Sequence, residues 1–76
     1  LSQHDQALFQ ALRAKRTELA TAQGVPPYVV FTDATLIALA QEKPASRDAF
    51  ARIPGVGKSK LDRYADTFLA VLAEAA

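Results

Sequence analysis

Gly24-Val25-Pro26-Pro27-Tyr28-Val29-Val30-Phe31 is the one stretch of this chain that invites reading as a β-strand. The residues are apolar, and most are β-branched or aromatic. Pro26 and Pro27, however, have no N–H to give to a strand ladder. The stretch therefore reads as a tight connector, with at most one turn of 3₁₀ helix, that turns Val29, Val30 and Phe31 inward. Nothing else alternates with period two. The chain is expected to be all-α: a compact bundle of four longer helices plus that short turn.

On the N-terminal side of the connector, Asp5 to Gln23 reads as a helix. Leu8, Leu12 and Leu19 fall within about 40° of one another on a helical wheel, with Phe9 on the flank. Gly24 follows in the position that ends many helices. Lys15 and Arg16 lie near the same stripe, where their stems can pack while the charges reach water. On the C-terminal side, Thr32 or Asp33 can cap a helix to about Gln41. That helix is apolar nearly all round, at Leu36, Ile37, Leu39 and Ala40, so it should be the buried one. Pro44 then marks a stop.

Ser46 can cap a short helix to about Ile53, with Ala49, Phe50 and Ile53 on one side. Pro54-Gly55-Val56-Gly57 turns the chain into a last helix, from about Lys58 to Ala75. There Leu61, Tyr64, Ala65, Phe68, Leu69 and Leu72 follow helical spacing. Val56 should plug the turn into the core.

The chain has 76 residues and a mass of 8.2 kDa. That is one domain, with a folded surface of roughly 4,500 Å² against roughly 11,900 Å² unfolded. Half the residues are apolar and 22% are charged, which fits a globular chain rather than a disordered one. So short a chain favours a binding or regulatory module over a self-sufficient large enzyme. It contains no cysteine, which excludes disulfides, thiol catalysis and cysteine-ligated zinc. No apolar run approaches the ~20 residues that span a bilayer, and no signal peptide opens the chain. It starts at Leu1, as a piece cut from a longer protein would.

No catalytic constellation is found. Gly57-Lys58-Ser59 imitates the end of a phosphate-binding P-loop, but that motif needs glycine where Arg52 stands and a strand in front. His4 is the only histidine and lies near a terminus, where a solvated residue is the plain reading. The carboxylates are scattered. Asp62 and Asp66 share a helix face but read as solvated surface. No serine or threonine has a base to activate it. No cofactor and no metal are expected.

Charge is unevenly spread over a net +1. Residues 47–63 carry a local +3, and residues 64–76 a local −2. The basic residues flank Ile53-Pro54-Gly55-Val56-Gly57-Lys58. Glycine allows the positive φ of such a turn and lets backbone N–H groups approach a phosphate. The helix that follows adds free N-terminal donors and its positive dipole end, with Lys58 and Lys60 beside them. This is the logic of a helix-hairpin-helix, which grips a nucleic-acid backbone without reading bases. A plain helix–helix connector needs glycine for the same steric reason. Tyr28, held on stiff prolines, can stack on an unpaired base or sit in the core with a bonded hydroxyl. Arg16 can reach the same connector.

Leu12-Arg13-x-x-Arg16, Val25-Pro26-Pro27-Tyr28-Val29-Val30-Phe31-x-Asp33-x-x-Leu36 and Ile53-Pro54-Gly55-Val56-Gly57 occur in that order at short spacings. Together they resemble the HRDC domain, the helicase-and-ribonuclease-D C-terminal module. The resemblance runs from about Leu8 to about Leu72. It implies a single non-catalytic domain over residues 1–76, taken from the C-terminal part of a larger protein. The implied parent is a bacterial RecQ-type DNA helicase of repair and recombination, or less readily a ribonuclease D exonuclease.

The resemblance further implies weak binding of single-stranded or branched DNA, without sequence specificity. One family surface maps to Tyr28 and Arg16. Another maps to Gly55, Gly57, Lys58 and Lys60, beside which stands Arg63. An isolated monomer in the cytoplasm is implied. Two departures count against easy transfer. Lys15 stands where the stripe usually carries an apolar residue. The net charge is low for a DNA-binding module, and few phosphates neutralised means little affinity at physiological salt. Contacts with other domains of the parent are therefore the alternative role.

Overall fold

The structure is a computed structural model and describes residues 1–75. It contains five helices and no strand among those residues, so the connector is not a strand. The folded surface is 4517 Å², as the mass requires.

Helix α1 spans Gln3–Gln23 and starts two residues before the sequence-based limit. Ser2 is the reason: its hydroxyl accepts the Asp5 N–H at 3.0 Å and extends the first turn. Gly24 ends the helix with φ 68°, returning its N–H to the last carbonyls.

Helix α2, Pro27–Val30, is a single α-helical turn rather than a 3₁₀ turn. Pro27 stands at its first position, where a missing N–H costs nothing and φ is already helical. One turn cannot bury all of its residues. Val30 and Phe31 are buried, while Val29 is 41% exposed, contrary to the inward packing expected of it.

Helix α3, Asp33–Glu42, starts at Thr32, whose hydroxyl accepts the Thr35 N–H at 3.3 Å. It buries Thr35, Leu36, Leu39 and Ala40. Lys43 closes it in the left-handed region, directly before Pro44. Helix α4, Arg47–Ala51, is capped by Ser46 and stops two residues short of Ile53. The Arg52 and Ile53 N–H groups bond to Ala49 and Phe50 at the tighter three-residue spacing. Helix α5 is Lys58–Ala75.

Phe31 is the hub. Its ring lies 6.1 Å from Phe50, 5.7 Å from Tyr64 and 5.1 Å from Phe68, the last two edge to face. Helix α1 contributes Leu8, Leu12 and Ala20, and packs against α3 and α5. Helix α5 runs antiparallel to α1. Tyr64, near its start, bonds to Gln23, while Leu72 and Ala73 share a pocket with His4 and Leu8.

Candidate nucleic-acid interface

The connector supplies the exposed end of the site. Pro26, Pro27, Tyr28 and Val29 all face outward, and Tyr28 is 67% exposed. That exposure removes the core role left open for Tyr28. Val30 and Phe31 anchor the other side of the turn in the core, so the ring of Tyr28 stands on a braced support.

Arg16 meets this connector from inside the molecule. Its side chain is 8% exposed, and it donates to the Phe31 carbonyl at 3.0 Å and to Asp33 Oδ1 at 2.7 Å. The guanidinium does not reach water as the sequence reading expects. The Arg16 stem takes the place of an apolar residue between Leu12 and Ala20 on the buried face of α1. Lys15, one residue earlier, is half-buried and pairs with Glu18 at 3.1 Å.

The hairpin is the second part. Gly55 has φ 90°, and a Cβ there would collide with the Thr35 hydroxyl. Thr35 is buried and donates to the Pro54 carbonyl at 3.0 Å, so α3 holds the turn against itself. The Val56 N–H bonds to Ile53 O at 3.1 Å, and Val56 rests half-buried on the core. Gly57 has no positive φ, and a Cβ on it would meet nothing within 4 Å. Its carbonyl accepts the Leu61 N–H at 2.9 Å and opens α5. The first backbone N–H groups of α5 have no partner within the helix.

The basic residues divide between two flanks of α5. Lys60 and Arg63 face the connector. The Lys60 ammonium lies 5.7 Å from the centre of the Phe31 ring. Arg63 stacks 5.3 Å from the Tyr64 ring and reaches Gln23 Oε1 at 3.4 Å. Gln23 in turn donates to the Tyr64 hydroxyl at 2.9 Å, fixing the end of α1 beside α5. Neither Lys60 nor Arg63 pairs with a carboxylate within 4 Å among the described residues.

On the other flank the charges balance. Arg47 lies 3.6 Å from Asp62 and 2.9 Å from Asp66. Lys58, whose side chain is 89% exposed, lies 3.4 Å from Asp62. Asp66, from beyond the basic stretch, thus helps to neutralise one flank, while Lys60 and Arg63 leave the other cationic. Lys60 reaches Phe31 and Arg63 reaches Gln23, the residues on either side of the segment from which Tyr28 projects. Sequence reasoning missed Thr35 and Asp33 as supports, and also the Arg47 pairs. Only the Thr32-x-x-Thr35 spacing gave a local signal, that of a helix cap. The rest depends on packing between distant segments.

A family model described as the HRDC domain matches residues 5–72. The ATP-dependent DNA helicase RecQ of Haemophilus influenzae is 40% identical over 74 residues, covering 97% of this chain and 12% of that protein. RecQ of Bacillus subtilis is 45% identical over 62 residues, covering 82% of this chain and 10% of that protein. The ATP-dependent DNA helicase UvrD2 of Mycobacterium bovis is 45% identical over 65 residues, covering 86% and 9%. The chain thus spans about a tenth of the length of these curated relatives. Among solved structures, the third HRDC domain of RecQ from D. radiodurans superposes with a TM-score of 0.90 at 37% identity, covering 93% of both chains.

Proposed function

The chain belongs to the HRDC family, and from that premise we propose that it serves as a non-catalytic accessory domain of an ATP-dependent DNA helicase. The RecQ type is the first choice of parent. The likeness to UvrD2 admits a second helicase type, and helicase relatives favour either over a ribonuclease D. In this role the domain holds single-stranded or branched DNA weakly, without reading sequence, and so tunes which DNA structures the parent engages.

One observation carries the reading: the unpaired cations Lys60 and Arg63 flank the connector that exposes Tyr28. A base stacks on Tyr28, a contact worth ~1–3 kcal/mol. Lys60 and Arg63 take adjacent phosphates. The free backbone N–H groups at the start of α5 receive a further phosphate. With so few cations, affinity is low and falls with salt.

The test is a titration of amide shifts with a short single-stranded oligonucleotide, at low and then near-physiological salt. The expected shifts cluster at Tyr28 and residues 55–63 and fade with salt. Lys60→Ala with Arg63→Ala should remove two phosphate contacts and flatten the log–log salt slope by about 1.4. Arg47→Ala, on the balanced flank, should leave the slope unchanged. No shifts at low salt would sink direct DNA binding. The second reading would then stand, in which the domain regulates the helicase through contacts with its other domains. The net charge of +1 and the self-neutralised Arg47–Asp62–Asp66–Lys58 flank favour that alternative.

A further inference from the structure

We infer that Arg16 is a positioning residue that sets the stance of Tyr28 from behind, rather than a residue that touches nucleic acid. The inference rests on the proposed stacking role of Tyr28 and adds a division of labour to it. Three observations lead there. First, the Arg16 guanidinium is enclosed between α1 and the connector, with 8% of its side chain exposed. A phosphate cannot approach a group so covered without the connector moving. Second, one of its two amino groups is already fully engaged. Nη1 serves both the Phe31 carbonyl at 3.0 Å and Asp33 Oδ1 at 2.7 Å. Third, Nε is buried and has no partner.

A buried unsatisfied donor carries a desolvation penalty. An aliphatic residue would avoid that penalty on a face that otherwise buries Leu8, Leu12 and Ala20. What the guanidinium adds is a fixed link to the two residues that close the connector. Phe31 is the cap that ends α2, and Asp33 opens α3. Tyr28 stands between the prolines and this link. Held at both ends, the single turn of α2 keeps its exposed ring in one place, although so short a helix has almost no stability of its own. Asp33 is the weak point of the link, because its carboxylate is 71% exposed and open to water and salt.

Hydrogen exchange tests the link without DNA. Arg16→Gln should speed exchange at the Val29–Phe31 amides by about ten- to a hundredfold, the loss of a charged hydrogen bond. Asp33→Asn, which removes a mostly exposed partner, should speed it by about two- to fivefold. The Tyr64 and Phe68 amides of α5 should change far less. Asp33→Asn leaves the core side chains in place and decides the matter if Arg16→Gln fails to fold. Unchanged exchange at the connector, or equal loosening of α5, would overturn the inference.

A second arm uses a short oligothymidylate. Arg16→Gln should weaken binding in the wild-type background, leave the salt slope unchanged, and have no effect when Tyr28 is already alanine. A flatter slope, or a loss that persists in the Tyr28→Ala background, would make Arg16 a direct phosphate contact and refute the positioning role. If the wild-type domain shows no binding to the oligothymidylate, the proposed function fails, and the exchange arm alone decides whether Arg16 positions the connector.

Discussion

Gly55 and Gly57 look interchangeable in the sequence, and both invite the same explanation, room for a backbone turn. In the fold they differ. Gly55 takes φ 90° with its open side against the Thr35 hydroxyl, whereas Gly57 has an ordinary φ and free space. Thr35 cannot yield, because it is buried and bonded to Pro54 O and Thr32. Gly55→Ala should therefore cost about 1–3 kcal/mol, from the left-handed backbone and the forced contact together. Gly57→Ala should change stability by less than about 0.5 kcal/mol. Urea unfolding of the two variants checks the contrast. The same limit on legibility applies to Arg16. Its proximity to an apolar stripe was readable, but the direction in which its charge would leave the core was not. That direction depends on where residues fifteen and seventeen positions away return to the helix.

At the scale of the helices, limits and caps were mostly legible because they are local. Ser46, Thr32 and Gly24 act within three or four residues of themselves. The start of α1 lies two residues before the limit its apolar spacing predicts, because Ser2 caps it. Charge pairing between helices was not legible, since spacing along the chain does not predict it. Arg47 on α4 against Asp62 and Asp66 on α5 is one case.

Asp5 against Lys43 is another. The two groups lie 2.6 Å apart and tie the first turn of α1 to the end of α3. The hydrogen bond from the Lys43 ammonium holds the Asp5 carboxyl below the usual carboxylate range. A carboxyl depressed in the folded state adds stability above its unfolded pKa and loses it as pH falls through the folded one. The stability difference between wild type and Asp5→Asn should thus hold steady at neutral pH and shrink on acidification below the usual carboxylate range. Thermal melts across that range, at low salt because the pair is near the surface, measure it. A difference that grows with acid would rule the pair out.

For the whole molecule the decisive residue is Phe31. The sequence placed it inward, yet gave no sign that it would touch Phe50, Tyr64 and Phe68 together. A domain of this length has about 4–11 kcal/mol of stability in total. Phe31→Ala, at about 3–5 kcal/mol, should leave it largely unfolded or close to it, while Phe31→Leu should fold with a loss of about 1–2 kcal/mol. Circular dichroism melts of both variants test this. A well-folded Phe31→Ala variant would mean that the core has a different centre. Helical periodicity made the all-α class legible. The convergence of four aromatic rings was not, because they come from three separate segments, the connector, α4 and α5.

Helix α1 has 21 residues, about 31 Å at 1.5 Å per residue, and the long axis of the molecule is also 31 Å. One helix therefore runs from pole to pole. His4 and Leu8 meet Leu72 and Ala73 at one pole, while Gln23, Tyr28 and Arg63 gather toward the other. Polypeptide attached at either end of the described chain leaves from the pole away from the connector. The domain can thus hang from a leash without the leash crossing the face proposed to hold DNA. A weak grip of the kind proposed would act at millimolar effective concentration wherever a short flexible leash joined the domain to its helicase.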